Sequence, residues 1–288
     1  MNCFTNYFLG KECELTQIAA CTFDWRSSFS QYILPDCEID KRITEITSLA
    51  VGEQSGKRVL VKTSSGQKTV LSSISCCEGL TKFTDWLDNV RNDKAQKVVL
   101  LAHNAQGCDM RHLIRHIEKH NLFPRLSSLV LGFVDSLKYA RVAYEGVYTG
   151  FSLPELYSNV FNNSFDAHDA SADAEALRKL VAHSITNNAR VLLKDFSFNL
   201  PSAYALCKYN WRCGARMTSL QLMYEPDKDD KKVISKLIAE KITGSGLIFS
   251  HLQCVYKRSG EEGLVALLKA KMSYVHFLYV FCQHLIEM

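Results

Sequence analysis

The chain has 288 residues, enough for about two folding units. Apolar residues make up 47%, aromatic 10% and charged 22%, which excludes a disordered polymer, a collagen and a small disulfide scaffold. The net charge of +4 permits a nucleic-acid partner without demanding one.

In chain order, residues 1–10 carry no basic leader, and the eleven cysteines are odd in number and irregular in spacing. They read as reduced, intracellular thiols, in nucleus or cytoplasm. LTQIAAC (15–21) and SQYILP (30–35) read as strands joined by a polar turn, and RVLVK (58–62) as a short strand. Residues 78–92 place Leu80, Phe83, Trp86, Leu87 and Val90 on one helical stripe. KVVLLAH (97–103) is a strand of the kind covered on both faces. A helix with Met110, Leu113, Ile114 and Ile117 on one side follows, then a strand in LVLGFVDSL (129–137) and an Ala-rich helix over 169–186. This order predicts a mixed sheet with flanking helices, an α/β domain over 1–195.

Beyond it, NLPSAYAL (199–206) and MYEPDKDDKK (223–232) carry the breakers and charges of a linker over 196–230. Three short helices, separated by TGSG and SG, predict a small all-α module over 231–272. The apolar tail 273–288 is too short to span a membrane and contains His276, Gln283 and His284, so no membrane partner is expected.

Three pieces point to chemistry. The strand over 97–102 runs into His103-Asn104-Ala105-Gln106-Gly107-Cys108-Asp109, Asp135 ends another strand, and His168 precedes Asp173 by five residues. Carboxylates hold Mg²⁺ or Mn²⁺ by oxygen, paired ions clamp the two oxygens of an in-line displacement, and a histidine takes the proton of the attacking water. Asp135 itself reads as structural.

HNAQGCD and HDASAD resemble the second and third motifs of the DnaQ-like, DEDDh class of 3′–5′ exonucleases, on a ribonuclease-H-like fold. ELTQIAA, FSQYILP, EGLTKFTDWL, GFVDSL, the extra residue between His103 and Asp109, and the helical tail are similar to the exonuclease-like C-terminal domain of the PML family. The resemblance implies that Asp109 and Asp173 are metal ligands and catalytic with His168. It also implies that His103 and Asn104 shape the nucleic-acid site, and that the partners are DNA or RNA 3′ ends, with protein partners possible.

The class also needs a D-x-E pair on its first strand. Here the alignment puts Cys3 and Thr5 in those places, and neither replaces a carboxylate as a hard ligand. Asp24 has Arg26 where the glutamate belongs and lies in a hairpin turn. The expectation is an exonuclease-family domain that acts on or binds 3′ ends but cleaves poorly, its Mg²⁺ weak or absent. The alternatives are a non-catalytic interaction module, or an active two-Mg²⁺ enzyme in a longer gene product. The abrupt failure before residue 9 favours a shortened chain.

Other sets read blandly. His112, His116 and His120 stand four apart, but no third ligand type lies near them in sequence. Their neighbours Arg111, Arg115 and Lys119 suggest a solvated basic face, and the adjacent Cys76 and Cys77 read as inert.

Overall fold

The computed structural model describes residues 2–9 (backbone only), 14–64, 66–91, 93–187, 190–225 and 234–271. The chain divides into two units, 1–204 and 205–288.

The first unit begins with strands β1 (Asn2–Leu9), β2 (Glu14–Thr22) and β3 (Ser28–Ile33), followed by the short helix α1 (Lys41–Thr47). Strands β4 (Leu49–Gln54), β5 (Lys57–Ser64) and β6 (Gln67–Leu71) form an antiparallel sheet of their own. Only its middle strand, which contains RVLVK, was legible, because β6 is almost wholly solvated and β4 offers only the short apolar run 49–51. Then come β7 (Ser73–Ile74), α2 (Cys76–Asn89), β8 (Val98–Ala102), α3 (Asp109–Lys119) and α4 (Phe123–Leu129). The unit continues through β9 (Val130–Asp135), α5 (Ser136–Ala143), α6 (Leu153–Phe161), α7 (Ala170–Asn187) and β10 (Ser197–Asn199).

The main sheet has the order β10-β9-β8-β1-β2-β3-β7. β8 runs parallel to both β1 and β9, whereas β2 is antiparallel to β1 and β3. Strands β2 and β8 bury apolar runs on both faces, as helices on either side of a sheet require. The expected mixed α/β sheet with flanking helices is therefore the fold of this unit.

Local signals explain how the helices start. The Ser75 hydroxyl accepts the Glu78 N–H at the head of α2, and Leu80, Phe83 and Leu87 are buried on its inner face. A Cβ at Gly79 would stand 2.2 Å from Ile33 Cδ1, so α2 reaches β3 only because that position has no side chain. The strand expected over 129–137 stops at Asp135, whose carboxylate caps α5.

The stretch read as a linker, 196–230, contains the helix α8 (Leu200–Met217) and the short α9 (Gln221–Tyr224). Pro201 does not break α8, because it occupies the first turn, where its missing N–H has no partner to lose. The Asn199 Oδ1 caps that turn by accepting from Ser202 N at 2.8 Å. Residues 226–233 and the tail 273–288 lie outside the described residues.

In the second unit α10 (Lys236–Gly244) and α11 (Phe249–Lys271) follow. α11 is broken at Gly260 (φ 58°, ψ −157°), which gives the three helical pieces expected from the TGSG and SG stops. Leu220, Met223, Ile234, Ala239, Ile242, Leu252, Leu264 and Leu268 form its buried core. Among the described residues no helix is long and apolar enough to cross a membrane.

Candidate functional site

The end of β8 is the first anchor. Asn104 takes a left-handed backbone (φ 60°), and its carbonyl accepts from Gly107 N at 3.0 Å and Cys108 N at 2.9 Å. A Cβ at Gly107 would fall 2.4 Å from Asn104 Oδ1, so the turn needs a glycine there. The turn delivers Asp109 as the first residue of α3, where the carboxylate is buried and faces the positive end of the helix dipole.

Asp135 braces this turn against its neighbour strand. Its Oδ2 accepts from Gln106 N at 3.1 Å, while Oδ1 accepts from Leu137 N at 3.1 Å and Lys138 N at 3.4 Å. One carboxylate thus caps α5 and holds the loop that carries Asp109. That is the structural role read from sequence.

His103 is committed on both ring nitrogens. Nε2 donates to the Phe151 carbonyl at 2.8 Å, which leaves Nδ1 to accept from the Ser136 hydroxyl at 3.1 Å. Burial holds its pKa below the ordinary histidine value. Asn104, in contrast, is exposed.

The second anchor is α7. Asp169 accepts from Ser171 N at 3.0 Å and Ala172 N at 3.3 Å and so caps the helix. It also accepts from the Tyr32 hydroxyl at 3.0 Å and pairs with Lys62 at 3.7 Å. Burial, then the Asp169 charge, push the Tyr32 hydroxyl up to about 12. Gln17 Oε1 accepts from Ala170 N at 3.0 Å, and the Cys21 thiol meets the Ala174 carbonyl at 3.6 Å. These ties fasten the head of α7 to β2.

Asp173 stands just inside that fastened turn and is buried. Desolvation pushes its carboxyl up to about 7, opposed by the backbone N–H of His168. His168 is exposed and left-handed (φ 73°), so the histidine is in the loop and the acid on the helix, as its spacing suggested. Asp169 and Tyr32 are the parts of this corner that sequence reading missed. Asp169 carried a signal, since an aspartate directly before an Ala-rich helix is an N-cap, whereas Tyr32 comes from a distant strand.

Between the two anchors runs β1. Cys3 pairs with Leu101 of β8 on one side and with Cys21 of β2 on the other. Leu101 lies next to the end of β8, and Cys21 touches the residue after Asp173. Thr5 follows two positions on, opposite Ala19. Cys3 and Thr5 thus fall on the central strand, between the elements that carry Asp109 and Asp173.

Asp24 does not fill the gap. It lies in the β2–β3 hairpin, where its carboxylate accepts from Arg26 N at 3.1 Å and pairs with the Arg26 guanidinium at 3.3 Å, both exposed. A cleft of about 480 Å³ lined by Arg91, Lys97, Leu193 and Lys194 contains neither Asp109 nor Asp173.

The donor set can be tested against a metal. Two buried carboxylates offer hard oxygen ligands to one divalent ion, but two ions about 4 Å apart would carry +4 against −2. By charge, the two carboxylates can balance one divalent ion but not a pair.

Sheet order and flanking helices define a ribonuclease-H-like domain. The Exuperantia RNase H-like domain profile matches residues 11–160, and the chain belongs to that family. The PML C-terminal domain profile matches residues 217–274. No curated protein matches the chain.

Among solved structures, the chain is similar to the zinc-bound form of the E. coli exonuclease I–single-stranded DNA complex. Identity is 14% and the TM-score 0.50, with 78% of this chain and 45% of that one covered. It is also similar to a 3′-exonuclease in 3′-end specific recognition of the histone mRNA stem-loop, with 10% identity, a TM-score of 0.46 and coverage of 67% and 84%. The likeness to exonuclease I is one of fold.

Proposed function

We propose that the first unit engages the 3′ ends of single-stranded nucleic acid and cleaves them poorly. The reading rests on the alignment that puts Cys3 and Thr5 where the class has its acidic pair, and the register of β1 between β8 and β2 supports it. Asp109 and Asp173 would hold one Mg²⁺ or Mn²⁺ weakly, and that ion would supply positive charge for the backbone phosphates next to the strand end but not the paired charge a two-ion displacement needs. His168, exposed beside Asp173, faces the strand end, and exposed Asn104 lines the approach. His103 acts from behind by fixing the turn that carries Asp109. The proteins of similar fold, an exonuclease I complex with single-stranded DNA and a 3′-exonuclease on an RNA 3′ end, are consistent with a strand-end ligand.

The experiment compares binding of single-stranded oligonucleotides that carry a free 3′ hydroxyl with the same strands blocked by a 3′ phosphate. The reading predicts tighter binding of the free end, weakened by Asp173→Asn, with the strand intact after incubation in Mg²⁺. Equal affinity for free and blocked ends would overturn it.

A further inference from the structure

Far from Asp109, the other end of α3 gathers a second set of ligands. Cys76 is the first residue of α2, His116 lies in the last turn of α3 and His120 is its C-cap. The two histidines are four apart and therefore share one helix face. Asp109 is eleven residues away from His120, about 16 Å along the axis.

We infer that Cys76, His116 and His120 form a binding site for one divalent ion of the zinc class. One ligand atom from each lies within 4.8 Å of the other two. Cys76 Sγ and His116 Nδ1 are 3.6 Å apart. Two ligands at the corners of a zinc tetrahedron, one sulfur and one nitrogen, stand about 3.5 Å apart for ordinary Zn–S and Zn–N lengths. The pair already has that spacing.

His120 supplies an independent sign. Its Nε2 is buried and lacks a hydrogen-bond partner, an arrangement that costs free energy unless something accepts the lone pair or the proton.

The surrounding charge suits a cation. Glu14 and Asp36 act on the Cys76 sulfur, against the single positive charge of Lys119, which pairs with Glu14 at 3.8 Å. Burial pushes the thiol up to about 12 without a metal, whereas a bound zinc ion and the positive end of α2 both favour the thiolate. The nitrogen and sulfur donors select zinc over magnesium, which takes oxygen. Three protein ligands leave the fourth position to water or to the exposed Asp36 carboxylate. His116 is buried, so the histidine stripe of α3 is not the fully solvated basic face that its arginines and lysine suggest.

The ion would pin the start of α2 to the end of α3, beside the end of β3. It is a structural site, separate from strand-end chemistry.

The test uses the full chain, stripped with a chelator and titrated with zinc alone and then with cobalt(II). The expected result is one equivalent of zinc, a rise in Tm on loading, and a sulfur-to-cobalt charge-transfer band. Cys76→Ser and His120→Gln should each weaken zinc binding about 100-fold or more, beyond the 10- to 100-fold cost of losing an outer-shell partner. Both should also abolish the cobalt band, while Cys77→Ser leaves it intact. Far-ultraviolet circular dichroism of the stripped variants checks that they fold. If the folded wild-type chain binds no zinc, or binding survives both substitutions, the site is refuted.

Discussion

The backbone N–H of His168 donates to the carboxyl of Asp173, five residues further on. That bond joins the exposed loop histidine to the buried helix acid and partly offsets the desolvation of the carboxyl. The unfolded carboxyl titrates near the ordinary aspartate value of about 3.9, the folded one at about 7. Between these values the folded state holds a proton that the unfolded state has released, so stability falls as pH rises from about 4 to 7. In chelator-treated protein, Asp173→Asn should therefore raise stability by about 4 kcal/mol at pH 8 and leave it unchanged at pH 3.5. Urea denaturation at both values checks this.

His103 predicts the opposite slope. Its folded pKa is depressed, so the unfolded state takes up a proton first as pH falls through about 6.5, and stability is lost below that value. His103→Gln should flatten this acid limb. At pH 8 it should also cost about 1–3 kcal/mol, because the buried Ser136 hydroxyl and Phe151 carbonyl lose their partner. Urea midpoints from pH 8 to 5 measure both effects.

Asp135 links two strand ends through one carboxylate. Asp135→Ala should cost about 2–3 kcal/mol by uncapping α5 and freeing Gln106 N. Asp135→Asn keeps one oxygen acceptor and should cost less than half as much. Oligonucleotide affinity should fall along with stability in the alanine variant, because the same turn positions Asp109.

The capping box at α6 gives a simple stability test. Ser152 Oγ accepts from Glu155 N at 3.4 Å, and Glu155 Oε2 accepts from Ser152 N at 3.3 Å. Ser152→Ala should cost about 1 kcal/mol in thermal or urea unfolding, with no change in metal or oligonucleotide affinity.

The central strands and the helices α2, α3 and α7 were legible because each has either an apolar run buried on both faces or a clean helical stripe. The placement of Asp109 after β8, and of His168 before α7, was legible for the same reason. The helix α8 was missed because Pro201 read as a breaker rather than as a first-turn residue. The strands β4 and β6 have no inward face long enough to leave a pattern. Ser152-Leu153-Pro154-Glu155 carried a start signal that was not read. The histidine pair of the Cys76, His116 and His120 cluster was visible in sequence but its thiol was not, since Cys76 stands forty residues before His116 and meets it only when α2 and α3 pack.

The central claim is that Cys3 and Thr5 hold the places of the missing acidic pair. The direct measurement is shortening of a 5′-labelled single-stranded oligonucleotide in Mg²⁺ by the wild-type chain and by the double variant Cys3→Asp, Thr5→Glu. The account predicts an intact strand with wild type, 3′-end shortening with the double variant, and loss of that gain when Asp173→Asn is added. Steady shortening by the pure wild-type chain, abolished by Asp173→Asn alone, would contradict it.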